Sequence, residues 1–283
     1  MATFSNRAML SYNGRTVDSN TVTGTFLQTL TINKTALFDT YTAEDTVTYV
    51  VTLINSGTTP LTGLTLTDDL GEFLYGTTPL YPLAFVPDAL LYYVDGVLQP
   101  TPTVAQTQPL ELQGITVPAG GDAVIVYEAQ VTDVAPLDVD GSITNTATVN
   151  GGGLLEALSA SETVTTADAP FLTITKALSP VAVPENGTLT YTFVIRNFGN
   201  TAAVATDDVA VTDTFDPVLD LLSVTLDGTV LAQGTGYTYD PATGTFATVS
   251  GVITVPAATY TSQADGTVVV TPGEAVLEVV GTI

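Results

Sequence analysis

The feature that most constrains the fold is an internal repeat, because many segments recur at a fixed offset of 142 positions, as from Leu30 to Leu172. The matching pairs are Ser19–Thr23 with Ser161–Thr165, Leu30–Lys34 with Leu172–Lys176, Thr46–Tyr49 with Thr188–Tyr191, and Asn55 and Gly57 with Asn197 and Gly199. Two later pairs match after small shifts, Leu66–Asp68 with Val211–Asp213 and Thr116–Ala119 with Thr254–Ala257. A chain of 283 residues with this pattern is predicted to hold two domains of one kind.

The repeat is built from β-type segments. Thr46–Ile54 and Thr188–Ile195 are long runs of β-branched and aromatic residues, and Asp-Gly pairs at Asp95 and Asp227 are typical of tight hairpin turns. The predicted fold class is all-β, with two tandem antiparallel β-sandwiches of the Ig-like or prealbumin-like kind. The expected divisions are an N-terminal arm and linker at 1–24, domain 1 at 25–150, a linker at 151–169 and domain 2 at 170–283.

Composition excludes several classes of function. The formal net charge is −24, with five basic residues against 29 acidic ones, whereas binding to nucleic acid or to an anionic membrane surface requires clustered Lys and Arg. The chain has neither Cys nor His, so disulfides, the usual zinc sites and nucleophiles activated by His are excluded. We therefore expect no cofactor, no metal, no nucleic acid partner, no membrane partner and no enzymatic activity.

The first ten residues, MATFSNRAML, lack the basic segment and apolar run of a secretory signal. No apolar stretch is long enough to span a membrane. If the protein works outside the cell or on a spore or cell surface, we expect it to be exported by another route.

The two repeats differ in their last strand. Domain 1 ends with an alternating segment, Ile143–Val149, which follows the strand Ala123–Val131. The matching strand of domain 2 is Ala275–Ile283, where the sequence stops, so domain 2 is predicted to lack its last strand. A segment with the same alternation and the same Asn-x-Ala centre lies at the opposite end, at Phe4–Leu10.

An incomplete sandwich exposes unpaired backbone groups and apolar side chains, and such an edge invites another strand. We expect the N-terminal segment to act as a donor strand that completes domain 2 of another copy, through Phe4, Asn6, Ala8 and Leu10. Repetition of this heterologous contact gives a head-to-tail homopolymer. Two simpler hypotheses stay open: the segment is a frayed tail, or it folds back onto domain 2 of its own chain.

The only two lysines of the chain, Lys34 and Lys176, occupy the same repeat position. Strand alternation places each of them on an apolar face, so both are predicted to point into a core. The same argument turns one Asp and one Asn inward in each domain. These are Asp68 and Asn145 for domain 1, and Asp213 and the Asn6 of another copy for domain 2.

Burying a Lys, an Asp and an Asn together suits the spontaneous formation of an isopeptide bond. Burial lowers the pKa of a lysine and leaves a neutral amine, while it favours a protonated carboxyl group that polarises the Asn carboxamide. Attack on the carboxamide releases ammonia and joins Lys34 to Asn145 within the chain, or Lys176 to Asn6 between subunits. The alternative is a buried Lys–Asp ion pair that Asn caps without covalent chemistry.

Five segments of the first repeat resemble the bacterial surface repeat called domain-of-unknown-function family eleven: Leu30–Lys34, Thr46–Tyr49, Asn55–Gly57, Leu66–Leu70 and Ile143–Val149. The resemblance covers nearly the whole chain in two copies. It implies a β-sandwich similar to the collagen-adhesin B-type domains that carry Lys–Asn isopeptide bonds. By the same resemblance the family's Lys and Asn positions are matched by Lys34, Lys176, Asn145 and Asn6. The chain lacks the wall anchor of typical members, so we expect a subunit of an extracellular or spore-surface filament.

Three other functions stay open. A monomeric adhesin or carbohydrate-binding module would need an aromatic platform, although the same tyrosines suit cross-strand pairs: Tyr92, Tyr93, Tyr237 and Tyr239. An enzyme would need paired carboxylates, yet neighbours on a strand face opposite sides, as would Asp68 and Asp69, or Asp207 and Asp208. A calcium-stabilised array would use carboxylates in turns, for which the candidates are Asp138, Asp140, Asp207 and Asp208.

Overall fold

The computed structural model describes residues 3–25 and 27–283, and these residues form two compact units. Unit 1 comprises Met1–Thr132 and Ile143–Val164, and unit 2 comprises Asp133–Ser142 and Thr165–Ile283. Each unit holds two antiparallel β-sheets with a core of alternating inward side chains. The prediction of two tandem β-sandwiches is confirmed. None of the described residues belongs to a helix long and apolar enough to cross a membrane.

The first seventeen strands in chain order are β1 (Thr3–Asn6), β2 (Met9–Tyr12), β3 (Arg15–Asp18), β4 (Val22–Thr25), β5 (Leu30–Ala36), β6 (Thr40–Tyr41), β7 (Thr46–Asn55), β8 (Leu61–Asp68), β9 (Phe73–Tyr75), β10 (Thr78–Leu80), β11 (Leu83–Val94), β12 (Val97–Gln99), β13 (Thr103–Thr107), β14 (Leu110–Val117), β15 (Asp122–Val131), β16 (Ser142–Gly151) and β17 (Leu158–Thr166). Ten more follow, with one short 3-10 helix at Ala205–Asp207: β18 (Leu172–Ser179), β19 (Thr188–Asn197), β20 (Thr212–Thr214), β21 (Asp220–Leu226), β22 (Thr229–Val230), β23 (Tyr237–Asp240), β24 (Thr245–Thr248), β25 (Thr259–Ser262), β26 (Val268–Thr271) and β27 (Gly273–Thr282).

In unit 1, one sheet has the strand order β12-β11-β15-β7-β5 and the other has the order β13-β14-β8-β16-β17-β6. The alternation expected from the sequence is seen in β7, where every second residue from Val47 to Asn55 is buried. The predicted Asp-Gly turn joins β11 to β12, with positive φ at both Asp95 and Gly96, as a type I′ turn requires.

The second sheet of unit 1 is closed by a hairpin of β16 and β17. β16 pairs with β8, with Ala147 opposite Asp68, and its outer hydroxyls meet those of β17, as in the 2.9 Å contact between Thr144 Oγ1 and Thr163 Oγ1. Residues 151–169, predicted as a linker, therefore contain a strand. The sequence conceals it because its outward residues are Ser and Thr and its inward ones include Glu162 and Ala160, so little apolar alternation is left.

In unit 2, one sheet has the order β18-β19-β27-β21-β22 and the other has the order β20-β24-β23. The first of these repeats the five-stranded sheet of unit 1, strand for strand. The second repeats only β8, β14 and β13. No strand among the described residues lies beside β20 in the place that β16 takes beside β8.

The N-terminal segment is a β-hairpin rather than a lone strand. β1 pairs with β4 and β2 pairs with β3, with the register from Thr3 opposite Thr25 to Tyr12 opposite Arg15. Asn13 and Gly14 form the turn, both with positive φ. The predicted donor strand Phe4–Leu10 thus already has a neighbour, because the residues that follow it alternate in the same way and reverse at an Asn-Gly pair.

The repeated Asn-x-Gly is explained by a buried asparagine that holds two loops together. Asn55 Nδ2 donates to the carbonyl oxygens of Thr59 (2.8 Å) and Pro118 (3.0 Å), and Asn55 Oδ1 accepts from the Gly57 N–H (2.9 Å). In unit 2, Asn197 makes the same bonds to Thr201, Pro256 and Gly199 at 2.7, 3.0 and 2.9 Å. The segments Thr116–Ala119 and Thr254–Ala257 recur because each supplies a proline carbonyl, of Pro118 or Pro256, that accepts a hydrogen bond from this asparagine.

We predict that Asn55→Ala lowers the free energy of unfolding by about 2–4 kcal/mol, because it leaves two carbonyl groups and one N–H without partners in a buried place. Asn150→Ala removes an exposed asparagine from the end of β16 and is the matched control, expected to change stability by less than about 0.5 kcal/mol. Urea denaturation followed by circular dichroism measures both, and similar losses would contradict a structural role for Asn55.

Candidate functional site

Of the three residues predicted to meet in domain 1, Lys34 and Asp68 are in direct contact between the two sheets, and Asn145 is buried on β16. Lys34 lies on the inward face of β5, Asp68 ends β8 and Asn145 lies on β16, and all three are almost fully buried. Lys34 Nζ lies 2.5 Å from Asp68 Oδ2. Asp68 Oδ1 accepts from the Leu70 N–H at 3.1 Å, which fixes the carboxyl group at the end of its strand.

Sequence reasoning missed a fourth member of the site, Tyr127 of β15. Its hydroxyl donates to Asp68 Oδ2 at 2.5 Å and accepts from Asn145 Nδ2 at 3.2 Å, so it links the carboxyl group to the carboxamide. The Tyr49 ring stacks on Tyr127 and lies 4.7 Å from Lys34 Nζ. A signal was present, because the alternation of β15 places Tyr127 on the inward face.

The electrostatics of the site favour neutral groups. Desolvation by burial lowers the pKa of Lys34, and the adjacent Asp68 only partly opposes that shift. Desolvation also raises the pKa of Tyr127 well above its usual value, so this hydroxyl keeps its proton. Asn145 Oδ1 is buried and has no hydrogen-bond partner among the described residues. The carbonyl of that carboxamide is thus not engaged, while its nitrogen is.

The equivalent site of unit 2 is open. Lys176 and Asp213 form the same ion pair, but their side chains are 40% and 18% exposed, against 0% for both Lys34 and Asp68. Lys176 does lie on the inward face, with Nζ 4.4 Å from the Tyr191 ring centroid and 5.5 Å from that of Phe215, but the predicted burial is incomplete in the described chain. The physical reason is that a strand equivalent to β16 covers the pair only in unit 1.

The uncovered edge of β20 is ready for backbone pairing. In unit 1, Asp69 donates its N–H to the Thr146 carbonyl of β16 at 3.0 Å, and Thr67 lies opposite Thr148. Their counterparts in unit 2 are Thr212 and Thr214. Val211 and Phe215 direct their backbone groups toward β24 and the turn before it, so strand alternation directs those of Thr212 and Thr214 away from it. The Thr214 N–H donates to Asp213 Oδ1 at 2.9 Å, a bond that an added strand would have to replace.

The hairpin of residues 3–25 carries the other half of the predicted contact. Phe4, Asn6, Ala8 and Leu10 share one face of its first strand, and all are exposed, with Phe4 at 51% and Leu10 at 64%. The register adds Val17 and Val22 to the same face. The opposite face is mostly Thr and Ser, as in the hairpin of β16 and β17.

The residues of the other hypotheses have structural roles. Tyr92 and Tyr237 are buried, and the Tyr92 and Tyr239 hydroxyls bond to backbone groups of Thr116 and Leu219, so these three do not form an exposed aromatic platform. Asp69 accepts from Gly71 and Thr146, Asp207 accepts from Val204, and Asp208 accepts from Ser250. Within the described ranges, no three acidic side chains are grouped closely enough to hold a metal ion.

Comparison with known proteins gives likenesses of fold. No protein-family model and no curated protein matches the sequence. Among solved structures, the pilus backbone RrgB of Streptococcus pneumoniae overlaps with a TM-score of 0.37 at 13% sequence identity, over 87% of this chain and 55% of that one. The major pilin subunit BcpA of Bacillus cereus overlaps with a TM-score of 0.36 at 12% identity, over 98% of this chain and 74% of that one.

An enzyme is among the structural matches as well. A family 123 glycoside hydrolase from Clostridium perfringens overlaps with a TM-score of 0.29 at 10% identity, over 49% of this chain and 28% of that one. The chain spans about half the length of RrgB. Overlaps with TM-scores this low carry no argument about function, so the proposals below rest on the residues of this chain.

We predict that Asp68→Asn lowers the free energy of unfolding by about 3–5 kcal/mol, because it leaves the buried Lys34 amine without its counter-charge. Asp213→Asn is the matched control. It is expected to cost less than about 1 kcal/mol, since water reaches Lys176 and screens the pair. Urea denaturation of the two variants beside the wild type measures the difference, and equal costs would show that the burial of the first pair has no energetic consequence.

Proposed function

We propose that this chain is a structural subunit that assembles head-to-tail, with the hairpin of one copy completing the second sheet of unit 2 in the next copy. The observation that carries the proposal is the uncovered edge of β20 in unit 2. The matching edge in unit 1, that of β8, is covered by the hairpin of β16 and β17. The occupant we propose is the hairpin of residues 3–25, because the repeat matches its second strand, at Val22 and Thr23, to Val164 and Thr165 of β17.

Backbone hydrogen bonds would supply affinity for this contact. The groups of Thr212 and Thr214 that face away from β24 match those of Thr67 and Asp69, which bond to β16 in unit 1. An added strand would pair them and extend the sheet, as in β-strand addition. Its apolar face would then cover Lys176 and Asp213, which water now reaches.

The hairpin has the shape and the chemistry of the element that it would replace. Like β16 and β17, it has one face with apolar residues around a central Asn and one face dominated by hydroxyl side chains. Its exposed apolar residues would be removed from water by docking, which favours association by about 25 cal/mol per Å² of apolar surface. These residues are Phe4, Leu10, Tyr12, Val17 and Val22.

Charge favours the same contact. The hairpin carries Arg7, Arg15 and Asp18, a net charge of +1, in a chain whose net charge is −24. Most surfaces of two copies therefore repel each other, whereas the hairpin meets an acidic unit 2 without that penalty. The contact is heterologous, so its repetition gives a filament. We propose an extracellular or spore-surface location for this filament, on the resemblance to bacterial surface repeats.

Covalent bonds are the finer part of the proposal. Within unit 1, Lys34 would attack the carboxamide of Asn145, releasing ammonia and tying the two sheets together. Between copies, the docked hairpin would bring Asn6 to the pair of Lys176 and Asp213 and would exclude water from it. The buried, unengaged carbonyl of Asn145 and the lowered pKa of Lys34 support the first bond.

We predict that Thr212→Pro leaves each subunit folded and abolishes assembly. Proline removes an N–H that faces away from β24 and is tolerated at a strand edge, but it takes away a donor that the added strand needs. Thr212→Val keeps the N–H and is the matched control, expected to assemble as the wild type does. Electron microscopy and sedimentation velocity of the purified full chain measure filament formation.

A folded Thr212→Pro variant that forms normal filaments would overturn docking at this edge. A variant that lacks residues 1–25 gives a second test, since it should stay monomeric on its own. Mixed with intact copies, its unit 2 should still bind the hairpin of one copy, and the filament should stop growing at that end. Filaments formed by that variant alone would point to another occupant of the edge.

We predict that wild-type filaments give ladders in denaturing gels after boiling, and that Asn6→Ala abolishes the ladders but not the filaments. The reason is that Asn6 supplies the carbon that Lys176 attacks, whereas the backbone pairing does not depend on its side chain. Asn20→Ala, on the second strand of the same hairpin, is the control. Ladders that persist in Asn6→Ala would rule out this residue as the acceptor.

A further inference from the structure

We propose that Tyr127 is a catalytic residue for the bond between Lys34 and Asn145, carrying a proton from Asp68 to the nitrogen that leaves. The inference rests on the crosslink proposed above. It adds a named route, through the Tyr127 hydroxyl, for the proton that ammonia requires.

The hydrogen bonds form one continuous path from the nucleophile to the leaving group. Lys34 Nζ lies 2.5 Å from Asp68 Oδ2, the Tyr127 hydroxyl lies 2.5 Å from the same oxygen, and Asn145 Nδ2 lies 3.2 Å from that hydroxyl. The Asp68, Asn145 and Tyr127 side chains are fully buried, so bulk water is not at hand to exchange protons. The hydroxyl is the one described group that contacts both the carboxyl oxygen and the leaving nitrogen.

The steps balance in atoms and charge. Lys34 first gives a proton to Asp68, which leaves a neutral amine and a neutral acid. The amine attacks Cγ of Asn145, so the Nζ–Cγ bond forms, the π pair of the carbonyl moves to Oδ1, and Nδ2 keeps a free electron pair. The pair on Oδ1 re-forms the carbonyl when the Cγ–Nδ2 bond breaks. The Tyr127 hydroxyl gives its proton to Nδ2 and takes the proton of Asp68, and the Cγ–Nδ2 bond breaks. The second proton of Nζ returns to Asp68, leaving an amide, one ammonia molecule and a protonated carboxyl group.

The direction of the hydrogen bonds fits this order of events. Before reaction, the hydroxyl donates to Asp68 and accepts from Nδ2. Once Asp68 has received the lysine proton, the carboxylic acid donates to the hydroxyl oxygen, and the hydroxyl hydrogen is free to turn to Nδ2. Tyr127 keeps its proton at all ordinary pH values because of its burial, so it acts as a neutral carrier.

Unit 2 lacks this path. The register places Val279 opposite Tyr191, as Tyr127 lies opposite Tyr49 in unit 1. The side chain of valine has no group that can donate or accept a proton. A bond between Lys176 and Asn6 would therefore form more slowly than the bond in unit 1. The two bonds would form in sequence, first within each folded subunit and then along the filament.

The test compares the full-length wild type with Tyr127→Phe and with Tyr92→Phe, each made by cell-free synthesis and quenched at intervals. Tyr92 is a buried tyrosine of the same unit whose hydroxyl bonds to the Thr116 backbone instead, so its variant controls for the loss of one buried hydroxyl. Intact mass measures the loss of one ammonia molecule, and peptide mass spectrometry locates the bond. We expect Tyr127→Phe to slow the reaction by at least about a hundredfold, the lower end of general acid–base effects.

Each outcome decides between the two proposals. Bond formation at the wild-type rate in Tyr127→Phe overturns the carrier role and leaves the crosslink standing. No loss of ammonia in the wild type overturns the crosslink and the carrier together, whereas filament formation is measured separately. If Tyr127→Phe fails to fold, a fluorinated tyrosine at position 127 keeps the shape and changes only the acidity of the hydroxyl, and a rate that does not respond to that change overturns the carrier role.

Discussion

The backbone pairing along β8 is the interaction on which the architecture depends, because it determines whether the space between two sheets is closed. In unit 1 the edge of β8 is covered by β16, and the Lys34–Asp68 pair behind it has no contact with water. In unit 2 the matching edge of β20 is uncovered, and the matching pair is partly solvated. The presence of one strand therefore decides whether the ion pair is buried. It also decides whether the second sheet has a covered or an uncovered edge.

Much of this was predictable from the repeat. The offset between Leu30 and Leu172 gave the two domains, and the absence of a counterpart to Ile143–Val149 at the end of the second repeat predicted the uncovered edge. What the sequence did not predict is that the N-terminal segment folds as a hairpin. Pairing between neighbouring segments depends on a turn, and the Asn13–Gly14 pair was the available signal for one.

The part of the site that sequence reasoning missed was missed for a physical reason. The predicted site residues were found at positions shared by the two repeats. Tyr127 is not shared, because Val279 stands at its place in unit 2. Two sandwiches need the same backbone contacts, so Asn55 and Asn197 recur with their hydrogen bonds intact. Tyr127 is present in only one of the two sandwiches, so it leaves no repeat signal. Only the placement of its hydroxyl between Asp68 and Asn145 marks it.

The few basic residues of the chain lie at the ion pairs and in the hairpin. Of the five basic residues, Lys34 and Lys176 lie at the matched positions beside an Asp, Arg196 pairs with Glu274 at 3.1 Å, and Arg7 and Arg15 belong to the hairpin. An acidic surface opposes lateral contact between copies, so association is favoured only where the charge is low and unpaired backbone groups are available. The hairpin meets the first condition, with a net charge of +1, and the uncovered edge of β20 meets the second. The head-to-tail contact proposed above would use both features, and the acidic flanks of the proposed filament would continue to repel one another.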